Sequence, residues 1–331
     1  MNRSMRRRAA LLVGIVVVGL AACAPALPQP EPAPVPAVAP PATTIAQSDN
    51  VLTDLGDVLK AGDAALDPTL LPPRVSGPAL AIRSAEYVRA KATANTKPPI
   101  AIPTKAQALI LPQTDTWPRT QLVVTEQPDD LQAPRILVLQ QTKPRDQYHL
   151  WGWGRMGPSI PMPPTAAPQT GSAVLAPDAT GLVATPTDTL VQYCDVLTKG
   201  SASPYAAAFA PDAFRTGVEA ARASTVSSVG AAGTATETYT PEPAPLTTLA
   251  TVDGGAIVVG QLTTVSTVLL TPGGTIKLDP FYAALTGKDT AASSFVRTFT
   301  DVVIIYVPPA GSTALMQVLA AEHAVTAVTA D

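Results

Sequence analysis

The first half of the chain changes from a helical to a strand-like spacing of apolar residues. Leu52, Leu55 and Leu59 recur every three or four residues, which predicts an amphipathic helix, and Asp49 is its predicted N-cap. The run Ser76-Gly77-Pro78 predicts the start of a second helix. After the next proline-rich stretch the apolar period falls to two, which is typical of strands. Strands are predicted at residues 107–111, 121–126, 135–141 and 147–153.

The second half repeats this order of helices followed by strands. Asp188 is predicted to cap a helix that ends near Lys199. The apolar stripe of this helix includes Leu190, Cys194 and Leu197. A further helix is predicted at residues 212–223, and strands at 246–251, 256–271, 275–278, 295–307 and 313–325.

Short similar segments occupy the same place in both halves. "DVLKAG" at residues 57–62 corresponds to "DVLTKG" at residues 195–200. Together with the shared order of elements, this similarity favours an old duplication. The predicted fold class is therefore α+β, with two tandem domains that each pack N-terminal helices on a curved antiparallel sheet. The first domain is predicted at residues 49–157, a partly packed proline-rich linker at 158–185, and the second domain at 186–331.

The first 23 residues have the pattern of a bacterial export signal. Four arginines lie before an apolar run at residues 9–22, which is too short to span a bilayer as a helix. The run ends in Leu20-Ala21-Ala22-Cys23, which resembles a lipobox, where residues 1–22 are removed and Cys23 takes a diacylglycerol. The resemblance implies a protein anchored by lipid on the outer face of the cell membrane. Alternatives are an ordinary signal peptide with an incidental cysteine and a twin-arginine signal.

A proline-rich segment separates the lipid anchor from the predicted body. Residues 24–48 carry almost no charge and show no apolar periodicity. This composition predicts a semi-rigid polyproline spacer that reaches about 70 Å, at about 3.1 Å per residue. Residues 23–48 are therefore predicted to hold the body clear of the membrane surface.

The charge of the mature chain limits its partners. Removal of residues 1–22 takes away four of the 22 basic residues, so 18 basic and 25 acidic residues remain and the net charge is about −7. This balance argues against nucleic acid as a partner. Because Cys23 carries lipid, Cys194 is left without a partner for a disulfide and is predicted to be a small core residue.

Residue types that support catalysis are sparse in this chain. Only His149 and His323 are available as bases near neutral pH, and they do not occupy equivalent positions of the two halves. No paired His or Cys spacing, Gly-x-Ser-x-Gly motif or phosphate-binding loop occurs in the sequence. We therefore predict no catalytic, cofactor-binding or metal-binding residues, and we interpret His323 as a core or rim residue of its strand.

Aromatic residues cluster in "YHLWGWG" at residues 148–154. Strict strand alternation places His149, Trp151 and Trp153 on one face, with Tyr148 and Leu150 on the other. The two indoles beside a histidine form a candidate ligand pocket that stacks on a sugar or an acyl chain. The alternative is ordinary packing in the sheet core or between the domains.

Basic residues follow the second predicted helix. Arg83, Arg89 and Lys91 are spaced so that they form a basic patch toward lipid headgroups or an acidic wall polymer. A solvated helix face explains the same spacing equally well.

The predicted architecture resembles known folds and one known family. Helices packed on one face of a strongly bent antiparallel sheet resemble the nuclear-transport-factor-two-like and cystatin-like folds. The lipobox, the proline tether, "RVSGPALAIRSAEYV" at residues 74–88 and "LAPDATGLVATPTDTLVQYCDVL" at residues 175–197 resemble a family of two-domain actinobacterial lipoproteins of unknown function. The resemblance implies an architecture and no catalytic residues.

We therefore expect a membrane-anchored extracytoplasmic lipoprotein that acts as a non-catalytic binding or scaffold module. Its expected partners are the membrane, reached through the lipid on Cys23, and an envelope protein or lipid. Two alternatives remain open, a carrier of a small apolar ligand and an envelope enzyme with a pocket near His149, Trp151 and Trp153.

Overall fold

A computed structural model describes residues 38–128, 132–244 and 246–331. The predicted signal sequence, the lipobox with Cys23 and most of the proline tether lie outside the described residues. The segment Ala39–Asp331 forms one compact unit. Its helices are α1 (Ile45–Ala65), α2 (Gly77–Ala92), α3 (Pro186–Lys199), α4 (Ala213–Val229) and α5 (Pro280–Thr286).

The helices begin where side chains satisfy the first free backbone N–H groups. Thr44 caps α1 through a capping box, in which its hydroxyl accepts from Gln47 N at 3.2 Å and the Gln47 side chain accepts from Thr44 N at 2.8 Å. The prediction of Asp49 as the cap was wrong, because this box lies earlier in the sequence. Thr185 rather than Asp188 is the cap of α3. Asp212 is the N-cap of α4, so the predicted start of that helix is confirmed.

Most predicted strands are confirmed, with small shifts at their ends. One helix and four strands were not predicted. They are α5, which follows Asp279 as its N-cap, the strand Gly233–Pro241, whose sequence is rich in threonine, and the two-residue strands Pro112–Gln113, Ser172–Ala173 and Thr290–Ala291. The strands are β1 (Ala106–Ile110), β2 (Pro112–Gln113), β3 (Arg119–Thr125), β4 (Arg135–Gln141), β5 (His149–Met156), β6 (Ser172–Ala173), β7 (Gly233–Pro241), β8 (Thr247–Ala250), β9 (Ala256–Leu270), β10 (Ile276–Lys277), β11 (Thr290–Ala291), β12 (Ser294–Val307) and β13 (Gln317–Ala330).

One antiparallel sheet runs through both halves of the described chain. Nine strands of the described residues form it in the order β1-β3-β4-β5-β13-β12-β9-β7, with β8 paired to β9. The halves join where β5 pairs with β13, through Met156 with Ala320 and Arg155 with Ala321. The fold is thus mixed α+β with a large antiparallel sheet, whereas an arrangement of two tandem domains is not confirmed.

The join between the halves is short because β5 shares its free edge between two partners. Leu150 N donates to Arg74 O at 2.7 Å and Ser76 N donates to Leu150 O at 2.9 Å, so the segment before α2 occupies one end of that edge. Only the other end of β5 remains for β13. A glycine permits the close approach there, since a Cβ on Gly154 would lie 2.9 Å from the backbone carbon of Ala320.

Apolar residues cover both faces of the sheet. On one face, α1 and α2 pack on β3, β4 and β5 of the first half, and α3 and α4 pack on β9 and β12 of the second half. On the opposite face a single cluster crosses the join, from Val138 on β4 to Ile304 on β12. This shared cluster ties the two halves together on the side without helices.

The segment predicted as a linker makes backbone hydrogen bonds to both halves. Its strand β6 pairs in parallel with β2 of the first half. Leu175 N donates to Thr248 O at 2.9 Å, and Val183 N donates to Pro308 O at 3.0 Å, both in the second half. Residues 158–185 therefore cross the join as packed chain.

Candidate functional site

The aromatic cluster of β5 is split by a β-bulge. The pairing of β4 with β5 shifts between Val138 and Leu139, so that Trp151 has no partner on β4. Trp153 pairs with Leu137, whereas His149 pairs with Gln140, which lies on the other face of β4. The prediction that His149, Trp151 and Trp153 share one face was therefore wrong, because strict alternation does not hold through a bulge.

The three residues of the predicted pocket are found in different surroundings. Trp153 is fully buried in the cluster beneath α1 and α2. Trp151 packs against the cluster on the opposite face, and its indole lies against Gly77 at the start of α2. His149 is half-buried at the start of β5. In the described part of the chain, none of these three residues lines the two clefts that lie where the halves join and next to α2.

A cleft of about 630 Å³ lies where the two halves join, and we call it the seam cleft. It is bounded by the ends of β4 and β5, by the middle of β13 and by the start of α4. A second cleft of about 460 Å³ continues past α2 and α5, and the two share Ile100, Glu322 and His323. Polar groups that line the seam cleft are Arg135, Arg155, Asp212, Glu322 and His323.

Two arginines face each other across neighbouring strands at one end of the seam cleft. Arg135 on β4 is the direct cross-strand partner of Arg155 on β5. The Arg135 side chain is 1% exposed, and it donates to Ala133 O at 2.7 Å and to Gln132 Oε1 at 2.8 Å. Arg155 is exposed, and no carboxylate of the described residues lies within ion-pair distance of it.

Glu322 is a carboxylate that lines the seam cleft from β13. Its Oε2 accepts a hydrogen bond from Trp153 Nε1 at 3.0 Å, which links the two halves. Burial raises the pKa of Glu322 to about 7, and the neighbouring charge of Glu86 adds to that rise. The positive charges of Arg135 and Arg155 lower the pKa without cancelling these effects. Glu322 therefore changes its charge near neutral pH.

His323 is held in place by a buried carboxylate. Its Nδ1 lies 2.6 Å from Oδ1 of Asp301, which is fully buried and whose other oxygen accepts from the Thr264 hydroxyl. The imidazole stacks on Phe299 at 4.1 Å between ring centroids and meets Phe214 edge-on at 5.6 Å. Because Asp301 occupies Nδ1, Nε2 is the nitrogen left for proton exchange or for a ligand.

Asp212 adds a further buried carboxylate to the wall of the seam cleft. Its Oδ1 accepts from Arg215 N at 2.7 Å, as the N-cap of α4, and from the Tyr193 hydroxyl at 3.0 Å. Its Oδ2 is buried and has no hydrogen-bond partner among the described residues. Burial raises the pKa of Asp212, and its hydrogen bonds oppose that rise only in part.

The predicted basic patch on α2 is wrong for Arg83, because this guanidinium points into the protein. It is 1% exposed and forms ion pairs with Asp63 at 2.6 Å and with Glu86 at 2.7 Å. It also donates to Ile100 O at 2.7 Å. A solvated helix face therefore does not describe this residue, whose role is structural.

Cys194 lies in the core beneath α3, as predicted from its place on an apolar stripe. Burial raises the pKa of its thiol to about 12, so the reactive thiolate is suppressed at neutral pH. Across the described ranges no group of three His, Cys, Asp or Glu side chains is arranged to hold a metal ion. None of the helices in the described part of the chain has the length and apolar character needed to span a bilayer.

The sequence did not reveal the residues that meet in the seam cleft. Arg135, Arg155 and Glu322 are far apart along the chain and belong to no motif. One local signal existed, since Asp301 directly precedes the apolar run "VVIIYV" inside a predicted strand, and a charge that is buried there requires a partner. That signal pointed to a buried polar contact without identifying His323 as its partner.

Comparison with known proteins gives a family and no activity. A family model described as a domain of unknown function, DUF8094, matches residues 39–330. Comparison with curated proteins and with solved structures found no match. The matched residues include the seam cleft and nearly all of the compact unit described above. The chain therefore belongs to the family defined by the DUF8094 domain of unknown function.

Proposed function

We propose that this protein is an extracytoplasmic lipoprotein whose body binds an envelope component in the seam cleft without transforming it. The lipid on Cys23 anchors the chain to the outer face of the cell membrane, and the proline-rich tether carries the body away from that surface. The lipobox pattern and the apolar run before it support the anchor. The two halves, each with helices before strands, derive from duplicated units of the actinobacterial lipoprotein type.

The seam cleft is the observation that carries the proposal. Its volume of about 630 Å³ suits a small-molecule site, which typically combines apolar walls with a few placed polar groups. Phe214 and Met156 supply apolar surface, whereas Arg155 and His323 supply polar contacts. Ligand sites often lie where two structural units meet, and this cleft lies at the join of the halves.

The test is to fill the cleft and ask whether a bound molecule is lost. Gly217 on α4 lines the cleft, and a Cβ at this position meets no atom within 4 Å. Gly217→Phe therefore adds a large side chain to the cleft without a clash at its base. Ala221→Phe, one helical turn further on the exposed surface, is the matched control. Both proteins are lipidated in their own envelope, extracted gently and measured by native mass spectrometry.

We expect the wild-type protein and Ala221→Phe to carry a co-purifying small mass and Gly217→Phe to lose most of it. A bound mass that persists unchanged in Gly217→Phe would place the ligand elsewhere and reject the seam cleft as the site. A protein partner that binds the wild-type protein and Gly217→Phe equally well would support a scaffold role on another surface.

An envelope enzyme is the second candidate, favoured by the contact between Asp301 and His323. A buried carboxylate that orients a histidine at a cleft is an arrangement suited to acid–base catalysis. The base is then His323 rather than His149. The same mass spectra separate the two candidates, because a binding module releases its ligand unchanged whereas an enzyme releases a molecule of altered mass.

A further inference from the structure

A polar cleft of about 390 Å³ lies at the start of α1, and we call it the α1 cleft. It is bounded by residues 42–54, by the end of β4 and by the turn before β5, and Arg74 and Arg119 complete its wall. None of the residues that line it also lines the seam cleft, so the two clefts are separate. Its volume falls within the range of small-molecule sites, roughly 300–1,000 Å³.

Tyr148 lines the α1 cleft with a hydroxyl that the protein leaves unpaired. Tyr148 is 7% exposed, and its hydroxyl is buried without a hydrogen-bond partner among the described residues. Burial raises the pKa of Tyr148 to about 12, and the charge of Arg119 opposes that rise only in part. The hydroxyl is therefore protonated at neutral pH and is able to donate and to accept. Because an unpaired buried hydroxyl costs free energy, its position at a cleft indicates a ligand that pairs with it.

Amide side chains of the α1 cleft also have unused hydrogen-bonding groups. Asn50 on α1 and Gln147 before β5 are exposed, and their side chains make no hydrogen bond to the described residues. Gln47 uses its Oε1 in the capping box of α1, which leaves its Nε2 for a ligand. An amide group carries donors and an acceptor on one plane. The lining therefore offers both kinds of hydrogen-bonding group to a bound molecule.

One wall of the α1 cleft is held in place by its own contacts. Trp117 Nε1 donates to Gln141 Oε1 at 2.9 Å, and Gln141 Nε2 donates to Asp146 O at 2.8 Å. The Arg119 guanidinium stacks 3.8 Å from the centroid of the Trp117 ring and donates to Ala42 O at 3.4 Å. These contacts join the end of β4, the turn before β5 and the segment before α1. The cleft is thus formed before a ligand binds, which lowers the cost of binding.

The charges that line the α1 cleft balance each other. Arg74 and Arg119 are positive, whereas Asp54 and Asp146 are negative. Arg74 and Asp54 form an ion pair with each other. A ligand with a net charge of either sign therefore meets like charges as well as opposite ones. The lining is mainly polar, so a hydrocarbon body finds little surface there.

From this arrangement we infer that the α1 cleft binds a neutral saccharide. Sugar hydroxyls donate and accept at the same time, and they match the unpaired groups of Tyr148, Asn50 and Gln147. The balanced charges of the lining favour a ligand without a net charge. A neutral sugar reaches an envelope protein either as part of a glycan polymer or as the head group of a glycolipid. This site is additional to the seam cleft, and its failure would leave the proposed function unchanged.

Saturation-transfer NMR titrations with simple sugars test the inference. The protein is the chain from residue 23 with Cys23→Ser, which carries no acyl group and needs no detergent with a competing sugar head. The neutral probes are the methyl glycosides of glucose, galactose, mannose and N-acetylglucosamine at millimolar concentrations. Glucose 6-phosphate and glucosamine add a negative and a positive charge to the same kind of ring.

We expect at least one neutral probe to bind at a single site, and neither charged sugar to bind more tightly than the neutral probes. Tyr148→Phe should weaken binding about tenfold, because the ligand loses a hydrogen bond at a buried group. The same variant should not lower the free energy of unfolding, since the hydroxyl has no partner in the described protein to lose. Tyr205→Phe is the matched control, because Tyr205 is 39% exposed and lies outside the cleft, and it should change neither quantity.

A second pair of variants tests an amide at the surface, where folding is not at risk. Gln147→Ala should weaken binding about fivefold, because it removes a donor and an acceptor from the cleft. Gln107→Ala removes the same group from an exposed position on β1 outside the cleft and should leave binding unchanged. Gly217→Phe, which fills the seam cleft, should also leave saccharide binding unchanged.

An octyl glycoside of the sugar that binds separates the two natural sources. It is titrated below its aggregation concentration. Affinity equal to that of the methyl glycoside supports a glycan polymer, and a clear gain supports the head group of a glycolipid.

Three results would overturn the inference. They are failure of all four neutral probes to bind, tighter binding of a charged sugar than of any neutral probe, and equal affinities in Tyr148→Phe and Tyr205→Phe. Circular dichroism of each variant confirms folding. Loss of saccharide binding in Gly217→Phe would place the sugar in the seam cleft instead and would also reject the α1 cleft.

Discussion

Two arginines of the first half, Arg83 on α2 and Arg155 on β5, have opposite electrostatic surroundings. Arg83 is buried and meets two carboxylates and a backbone carbonyl within 3 Å. Arg155 is exposed at a cleft and faces the like charge of Arg135. The charge of Arg83 is thus balanced by two carboxylates, whereas Arg155 has no carboxylate of the described residues within ion-pair distance.

This difference indicates that Arg83 stabilises the fold, whereas Arg155 is accessible to a ligand in the seam cleft. A buried guanidinium that is paired with two carboxylates is not accessible to a ligand, and its removal leaves uncompensated charges in the interior. An exposed guanidinium without an ion-pair partner contributes little to the stability of the fold. Substitution at the two positions should therefore have opposite effects on the free energy of unfolding.

The largest expected effect is that of Arg83→Met. This change leaves Asp63 and Glu86 without their buried partner, so we expect the free energy of unfolding to fall by about 3–5 kcal/mol. Urea denaturation followed by circular dichroism measures it. Arg89→Met is the control, because Arg89 is 29% exposed and its ion pair with Glu86 at 3.2 Å should contribute about 0–1 kcal/mol. If both variants lose the same free energy of unfolding, the ion pairs of Arg83 do not stabilise the fold more than the exposed pair of Arg89 does.

A smaller effect is expected from Glu322→Gln, and it depends on pH. The folded-state pKa of about 7 lies above the ordinary value of 4.5, so the folded protein holds the proton more tightly than the unfolded chain. The stability that this group contributes is complete below about pH 4.5 and is lost as pH rises through 7. Gln keeps an acceptor for Trp153 and has no charge to bury.

The wild-type protein and Glu322→Gln should therefore unfold alike at pH 4.5, whereas the variant should be more stable at pH 8 by about 1–3 kcal/mol. The measurement is a pair of urea denaturation series at the two pH values. Glu126→Gln is the control, because Glu126 is exposed and does not line the seam cleft. If the variant is instead less stable at pH 8, ionised Glu322 stabilises the fold through its attraction to the arginines. Arg155 would then be a stabilising residue, as Arg83 is.

Local patterns in the sequence were sufficient for most helices and strands. The strand Arg135–Gln141 has the bounds that its alternation predicted, and the stripe of Leu52, Leu55 and Leu59 is buried as expected. Periodicity reports which face of an element is buried, and that information is local. It does not report which strands pair over long distances, so the union of the halves through β5 and β13 could not be predicted.

The candidate site could be predicted even less. The bulge at Trp151 lies where other segments compete for the free edge of β5, which local periodicity does not report. One extra residue in a strand moves the side chains before it to the opposite face of the sheet. Arg135 and Arg155 are neighbours on the paired strands β4 and β5, but Glu322 comes close to them only because β13 pairs with β5. The position of Asp301 directly before the apolar run "VVIIYV" is a local signal of a buried polar contact, and its partner is His323.

The smallest expected effect is that of Arg155→Gln on the free energy of unfolding of the ligand-free protein. This variant is also the most direct test of the difference between Arg83 and Arg155. At pH 5, where Glu322 is mostly protonated, the variant removes a like charge opposite Arg135, so the free energy of unfolding should rise by about 0.2–1 kcal/mol. At pH 8 the ionised Glu322 attracts Arg155, and the gain should shrink or disappear. Denaturation at both pH values, with Arg145→Gln as the charge-matched control, measures the difference. A loss of stability at pH 5 would mean that Arg155, like Arg83, contributes to the stability of the fold.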